Sequence, residues 1–152
     1  MDDYRAIATV VNLFALHADG RRWKDLADLF TPSVVVDYTS LAGGTPSIVD
    51  AATLVAGWRK VLGNLTMTQH MVSNQVVEVD HTRATCQAYF QATHLLRDEA
   101  LAGKDMWTLG GRYEFGLVQD ASAWKIERIR MTAMWQTGNA DIMRIARERP
   151  EI

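Results

Sequence analysis

From Met67 almost to Trp135 the chain reads as strand, interrupted only by turn and loop signals at Asp80-His81-Thr82, Arg97 to Asp105 and Asp120-Ala121-Ser122. A run of long strands joined this way predicts a mostly antiparallel sheet. The cleanest alternation places Ala84, Cys86, Ala88, Phe90, Ala92, His94 and Leu96 on one face and Thr85, Gln87, Tyr89, Gln91 and Thr93 on the other. One face is apolar and must be covered by another layer.

The covering layer is readable upstream. Ile7, Val11, Phe14 and Ala18 recur at helical spacing within Asp2 to Ala18, with Asp2 or Asp3 placed to cap the start. Asp19-Gly20-Arg21-Arg22 breaks that helix, and Leu26, Leu29 and Phe30 predict a second over Trp23 to Phe30, stopped by Pro32. Ser33 to Ser40 is expected to be a strand with Val34, Val36 and Tyr38 on one face and Val35, Asp37 and Thr39 on the other. Gly43-Gly44-Thr45-Pro46 reads as a loop. Asp50 is the expected cap of a third helix, lined by Leu54, Trp58, Val61 and Leu62 and ended by Gly63-Asn64. Ile142 and Ile145 suggest a short helix in the tail, Ala140 to Ile152. The expectation is one α+β domain over residues 1–152, with helices covering one face of a curved antiparallel sheet.

Composition limits the function classes. The 152 residues are 48% hydrophobic, enough for one core, whereas two halves would each be marginal. The 16 Lys and Arg and 18 Asp and Glu are scattered, for a net charge of −2, so there is no basic stripe to grip nucleic acid. Cys86 is the only cysteine, which leaves no intramolecular disulfide and no Cys-based metal knot. No basic, apolar leader follows Met1 and no stretch is long and apolar enough to span a bilayer, so the expected location is the cytoplasm, away from membranes.

Four polar residues stand where apolar ones belong. An unsatisfied buried polar group costs about 1–3 kcal/mol, so His94 on its apolar face requires a partner. His70 shares a face with Val72 and points to the same covered side. Asp19, at the break between two helices, can accept the Nδ1 proton of an imidazole and fix its tautomer. Tyr38 supplies a phenol beside the valines. Trp23, Phe30, Trp58, Phe90, Trp107, Tyr113 and Trp135 are core or rim residues by default. Of these, Trp23, Trp58, Phe90, Tyr113 and Trp135 are the candidates to wall a pocket for a planar or alicyclic ligand. His17, at an exposed helix end, and His81, in a turn, receive no role. His70, His94 and Asp19 have the composition of a 2-His-1-carboxylate metal site, but no histidine pair with i, i+4 spacing is present and no metal is expected.

Taken in order, Ala18-Asp19-Gly20-Arg21-Arg22-Trp23 with Leu26 and Phe30, then Val36-Asp37-Tyr38-Thr39-Ser40, Met67-Thr68-Gln69-His70-Met71, Ala92-Thr93-His94 and Trp124-Lys125-Ile126 cover nearly the whole chain. This series resembles scytalone dehydratase and the SnoaL-like proteins of the nuclear transport factor 2-like superfamily. The resemblance implies a cone-shaped, cystatin-like α+β barrel with its pocket at the wide end, and Asp19, Tyr38, His70 and His94 in a catalytic pocket. Two departures stand out: Ala18 occupies the position of a pocket tyrosine, and Gly111 and Tyr113 align with a serine and an asparagine. Loss of such hydrogen-bonding groups argues against scytalone itself as substrate. Dehydrochlorinases and bile-acid dehydratases of the superfamily resemble this chain in the Asp19 and His70 pairing. The expected function is a cofactor-independent lyase, a dehydratase acting on a small cyclic hydroxy-carbonyl or polyketide-like compound. A ketosteroid-isomerase type of reaction and a non-catalytic ligand-binding module are the alternatives. The resemblance also implies a homotrimer or homodimer, for which the strand face bearing Thr85, Gln87, Tyr89 and Gln91 offers a surface.

Overall fold

In the computed structural model, which describes residues 2–151, the first helix, α1 (Asp3–Asp19), starts where the Asp2 carboxylate accepts from the Arg5 amide at 2.8 Å. Its apolar stripe is buried as expected, with Ile7 and Val11 fully covered. The second helix, α2 (Trp23–Ala27), is shorter than its apolar pattern predicts, and Phe30 already belongs to β1 (Phe30–Asp37). Proline explains the difference. The residue before a proline is driven toward extended backbone, and Pro32 itself lacks a donor. It falls in the irregular stretch of the β1 and β6 pairing between Phe30 and Val35, where no donor is needed.

β1 ends at Asp37, three residues earlier than the expected strand. The Asp37 carboxylate accepts from the Thr39 amide at 3.1 Å and the Thr39 hydroxyl at 2.6 Å, a local turn that competes with further ladder bonds. A short helix, α3 (Thr39–Ala42), follows, so Tyr38 sits just beyond the strand. After the Gly43 to Pro46 loop comes β2 (Ser47–Asp50), which the sequence did not suggest. Helix α4 (Ala51–Leu62) is capped by Asp50, which accepts from the Thr53 amide at 2.8 Å, and ends at Gly63 as expected.

The long strands are β3 (Met67–Asp80), β4 (Arg83–Leu95), β5 (Met106–Asp120) and β6 (Ala123–Gly138), with a single 3₁₀ turn, Glu99–Leu101, inside the longest loop. They form a six-stranded, curved and unclosed sheet in the order β2-β1-β6-β5-β4-β3, antiparallel throughout except for β1 beside β6. Between Gly110 and Gly111 the β5 and β6 register shifts. A Cβ at Gly111 would lie 1.9 Å from the Thr132 carbonyl oxygen, so only glycine allows the strands to approach there.

The core lies between the helices and the inner sheet face. Leu26, Phe115, Leu117, Ile126 and Ile129 are essentially inaccessible. A last helix, α5 (Ile142–Glu148), buries Ile142 and Ala146. The side-chain amide of Asn64 donates to the carbonyls of Ala146 at 2.9 Å and Arg149 at 3.2 Å, and Arg149 pairs with Asp98. These bonds hold α5 against the end of α4. Among the described residues no helix is long and apolar enough to cross a membrane.

Candidate active site

The curvature of the sheet leaves a cavity of about 320 Å³ beneath the helices. Phe14 of α1, Trp58 of α4 and Phe90 and Tyr113 of the sheet give it aromatic walls. Phe14 meets Trp58 and Tyr113 edge-on, at centroid distances of 5.7 and 5.6 Å, and Phe90 stacks on Tyr113 at 4.3 Å. His70, His94 and Tyr38 face this cavity from β3, β4 and the end of β1, and Tyr113 and Arg147 add further polar groups to the lining.

Asp19 is the last residue of α1, where the helix meets the start of β3. One carboxylate oxygen accepts from the Thr68 hydroxyl at 2.9 Å and lies 2.7 Å from His70 Nδ1, and the other accepts from the His70 amide at 2.7 Å. Burial pushes the Asp19 carboxyl up, but the bonds from His70 and Thr68 outweigh it and hold the pKa below its ordinary value. With Asp19 ionised, His70 Nδ1 is the donor, so in the neutral ring Nε2 is the nitrogen with the free lone pair.

His94 is 3% exposed and stands edge-on to His70, with ring centroids 5.6 Å apart. It stacks on Trp107 at 5.0 Å, and its Nδ1 lies 3.3 Å from the Trp107 carbonyl oxygen. Burial, and after it electrostatic interaction with the neighbouring His70 ring, lowers its pKa to about 4, so it is neutral at neutral pH. A carbonyl partner requires Nδ1 to be the donor, leaving Nε2 of His94 as an acceptor as well. Burial also raises the pKa values of the Tyr38 and Tyr113 hydroxyls, which therefore remain donors.

The sequence candidates fall into three groups. His70, His94, Tyr38, Trp58, Phe90 and Tyr113 line the cavity, and Asp19 stands behind His70. Trp23 is half-buried near Gly63, and Trp135 is 48% exposed on the opposite sheet face, so neither lines it. His17 is not at an exposed helix end as expected. It is 8% exposed, its Nδ1 has no partner among the described residues, and burial lowers its pKa. Among the described residues no cluster of three His, Cys, Asp or Glu side chains has metal-binding geometry.

Several lining residues were not singled out from the sequence. Phe14 belongs to the core stripe of α1, and Leu109 and Met131 are ordinary inward residues of β5 and β6. Met143 and Arg147, from α5, stand four residues apart, a spacing that puts both on one face of the helix. A larger, more open groove of about 950 Å³ lies elsewhere, between Thr31, Glu78, Arg83 and Arg128. It contains no histidine, and the titratable groups suited to proton transfer converge in the smaller cavity.

Known proteins share this arrangement of helices and sheet. The profile of the SnoaL-like domain matches residues 1–130. The chain belongs to the SnoaL-like family. It is thereby a member of the nuclear transport factor 2-like superfamily, whose structures have the same mixed fold. This SnoaL-like chain is 30% identical to a structurally characterised protein of Kribbella flavida, over 93% of its own length and 97% of the other, with a TM-score of 0.86. A scytalone dehydratase candidate from Novosphingobium aromaticivorans is 20% identical over 90% of this chain and 87% of its own, with a TM-score of 0.77. A hexachlorocyclohexane dehydrochlorinase is 14% identical over 90% and 88%, with a TM-score of 0.73, a likeness of fold. No curated protein matches the sequence.

Proposed function

We propose that this SnoaL-like protein is a cofactor-independent lyase that removes water from a small cyclic hydroxy-carbonyl compound. The observation that carries the reading is the Asp19 and His70 pair at 2.7 Å, with the His70 ring lining a largely apolar cavity. A base fixed in one tautomer by a carboxylate is the arrangement that proton abstraction requires. Structural relatives named for dehydratase and dehydrochlorinase activity fit the same reaction class.

In this mechanism His70 Nε2 takes a proton from the carbon next to the substrate carbonyl. The phenols of Tyr38 and Tyr113 donate to the carbonyl oxygen as negative charge develops there. His94 Nε2 accepts from the hydroxyl that will depart and orients it. As the carbon–carbon double bond forms, the carbon–oxygen bond breaks, and the proton held by His70 passes to the leaving hydroxyl to make water. The imidazole is then neutral again and the enzyme is ready for another turnover.

The test is a screen of cyclic β-hydroxy ketones, following the ultraviolet absorbance of the enone product. Positioned general bases contribute about 10²–10⁴-fold, so His70→Ala should lose activity on that scale. Equal rates for the parent protein and His70→Ala would refute the assignment. The two phenols also suit a double-bond shift, in which His70 returns the proton to a different carbon. Product analysis separates the two, because isomerisation conserves the substrate mass and elimination lowers it by one water.

A further inference from the structure

The cavity lining contains one group that the proposed elimination does not use. Arg147, in the last turn of α5, lines the cavity and is exposed at the same time, which places the residue at the mouth and not in the interior. Its neighbours in the tail are already committed. Arg144 is held by Asp141 at 2.8 Å and Glu148 at 2.8 Å, and Arg149 is paired with Asp98. Arg147 makes no ion pair or hydrogen bond among the described residues, and no other arginine or lysine lines the cavity. A cation in a last turn is favoured by the helix dipole, but that would hold equally for a side chain directed away from the opening.

We infer that the ligand of this cavity is a carboxylic acid, whose ring enters the apolar interior while its carboxylate remains at the mouth on Arg147. One guanidinium matches one carboxylate in a two-point fork. A phosphate dianion would call for more donors than this mouth supplies. The volume, about 320 Å³, is at the small end of ligand sites, which fits one or two rings rather than an extended chain. The interior walls, Phe14, Trp58, Phe90 and Tyr113, offer no second cation that could hold the acid in the reverse orientation. The inference rests on the cavity being the ligand site, as proposed above, and not on its carrying out an elimination.

The experiment compares two probes of the same shape that differ in charge, 2-naphthoate and 2-naphthamide, by calorimetric titration. A charge-assisted pair at a partly open mouth corresponds to about tenfold in affinity. The parent protein should bind the acid about tenfold more tightly than the amide. Arg147→Gln should erase that preference through the acid alone, leaving the amide within about twofold, and Arg147→Lys should keep part of it. Equal affinities in the parent protein, a preference for the acid that survives Arg147→Gln, or no saturable binding of either probe would each overturn the inference. His70→Ala should retain the preference. A protein that selects the acid but eliminates nothing would thus separate a failed mechanism from a failed ligand class.

Discussion

His94 should make the protein acid-sensitive, in a window set by its burial. Its imidazole is 3% exposed and its pKa is lowered from 6.5 to about 4 in the folded protein. In the unfolded chain it takes up a proton near 6.5, so between these values the unfolded state binds more protons and is favoured as the pH falls. Each pH unit on the full slope is worth about 1.4 kcal/mol. Acidification from about pH 7 to about pH 4.5 should therefore remove between about 2 and 3 kcal/mol through this residue. That is a substantial share of a typical stability of about 5–15 kcal/mol. His17, whose pKa is also lowered, acts in the same direction. Asp19, whose pKa is depressed from 3.8, contributes stability that is lost only at still lower pH. Urea unfolding of the parent protein and His94→Gln across this range isolates the effect, because the glutamine can still donate to the Trp107 carbonyl but does not titrate. The parent should lose about 2–3 kcal/mol more than the variant over the range. Parallel losses, or a His94 proton resonance that titrates above pH 6, would refute the reasoning.

Other substitutions probe separate parts of the fold. Asp19→Asn removes the charge and turns one of the two accepting oxygens into a donor, so the three bonds cannot all be kept, His70 should lose its fixed tautomer by nitrogen NMR, and unfolding should become easier by about 1.5–3 kcal/mol. Gly111→Ala places a methyl 1.9 Å from a backbone oxygen and should cost about 3 kcal/mol or more in thermal melts. Gly110→Ala meets only the exposed Trp135 ring, at 2.4 Å, which can swing aside, and should cost about 1 kcal/mol. Asn64→Ala leaves the Ala146 and Arg149 carbonyls without their donor, so hydrogen exchange should accelerate in α5 at a cost of about 1–3 kcal/mol.

The elements best read from sequence were those whose periodicity follows one buried face. Strand β4 alternates cleanly because its inner face is buried along its whole length, against core and cavity, and α1 and α4 show apolar stripes for the same reason. The errors arose where side chains compete with the backbone. Asp37 ended β1 by bonding Thr39, and Pro32 turned a helical apolar pattern into the start of a strand. At the site, Asp19, His70 and His94 were legible because polar groups at inward positions demand partners. Trp135 was not, since aromatic character does not tell which face of a strand it occupies after a bulge. The register shift at Gly110 and Gly111 decides that, and it depends on two strands together. His17 was misread because the length of α1 says nothing of what covers its end.

The parallel pairing of β1 with β6 has a consequence for how the chain is made. Val36 lies beside Ile129 and Asp37 beside Arg130, so the first strand of this domain must wait for its last. Until β6 has emerged, β1 has only the four-residue edge strand β2 to pair with, whereas α1 can already pack on β3. Synthesis proceeds at about 5–20 residues per second, whereas small domains rich in distant contacts fold in milliseconds to seconds. The nascent chain thus spends seconds with the inner edge of β1 unpaired, until β6 arrives to fill it.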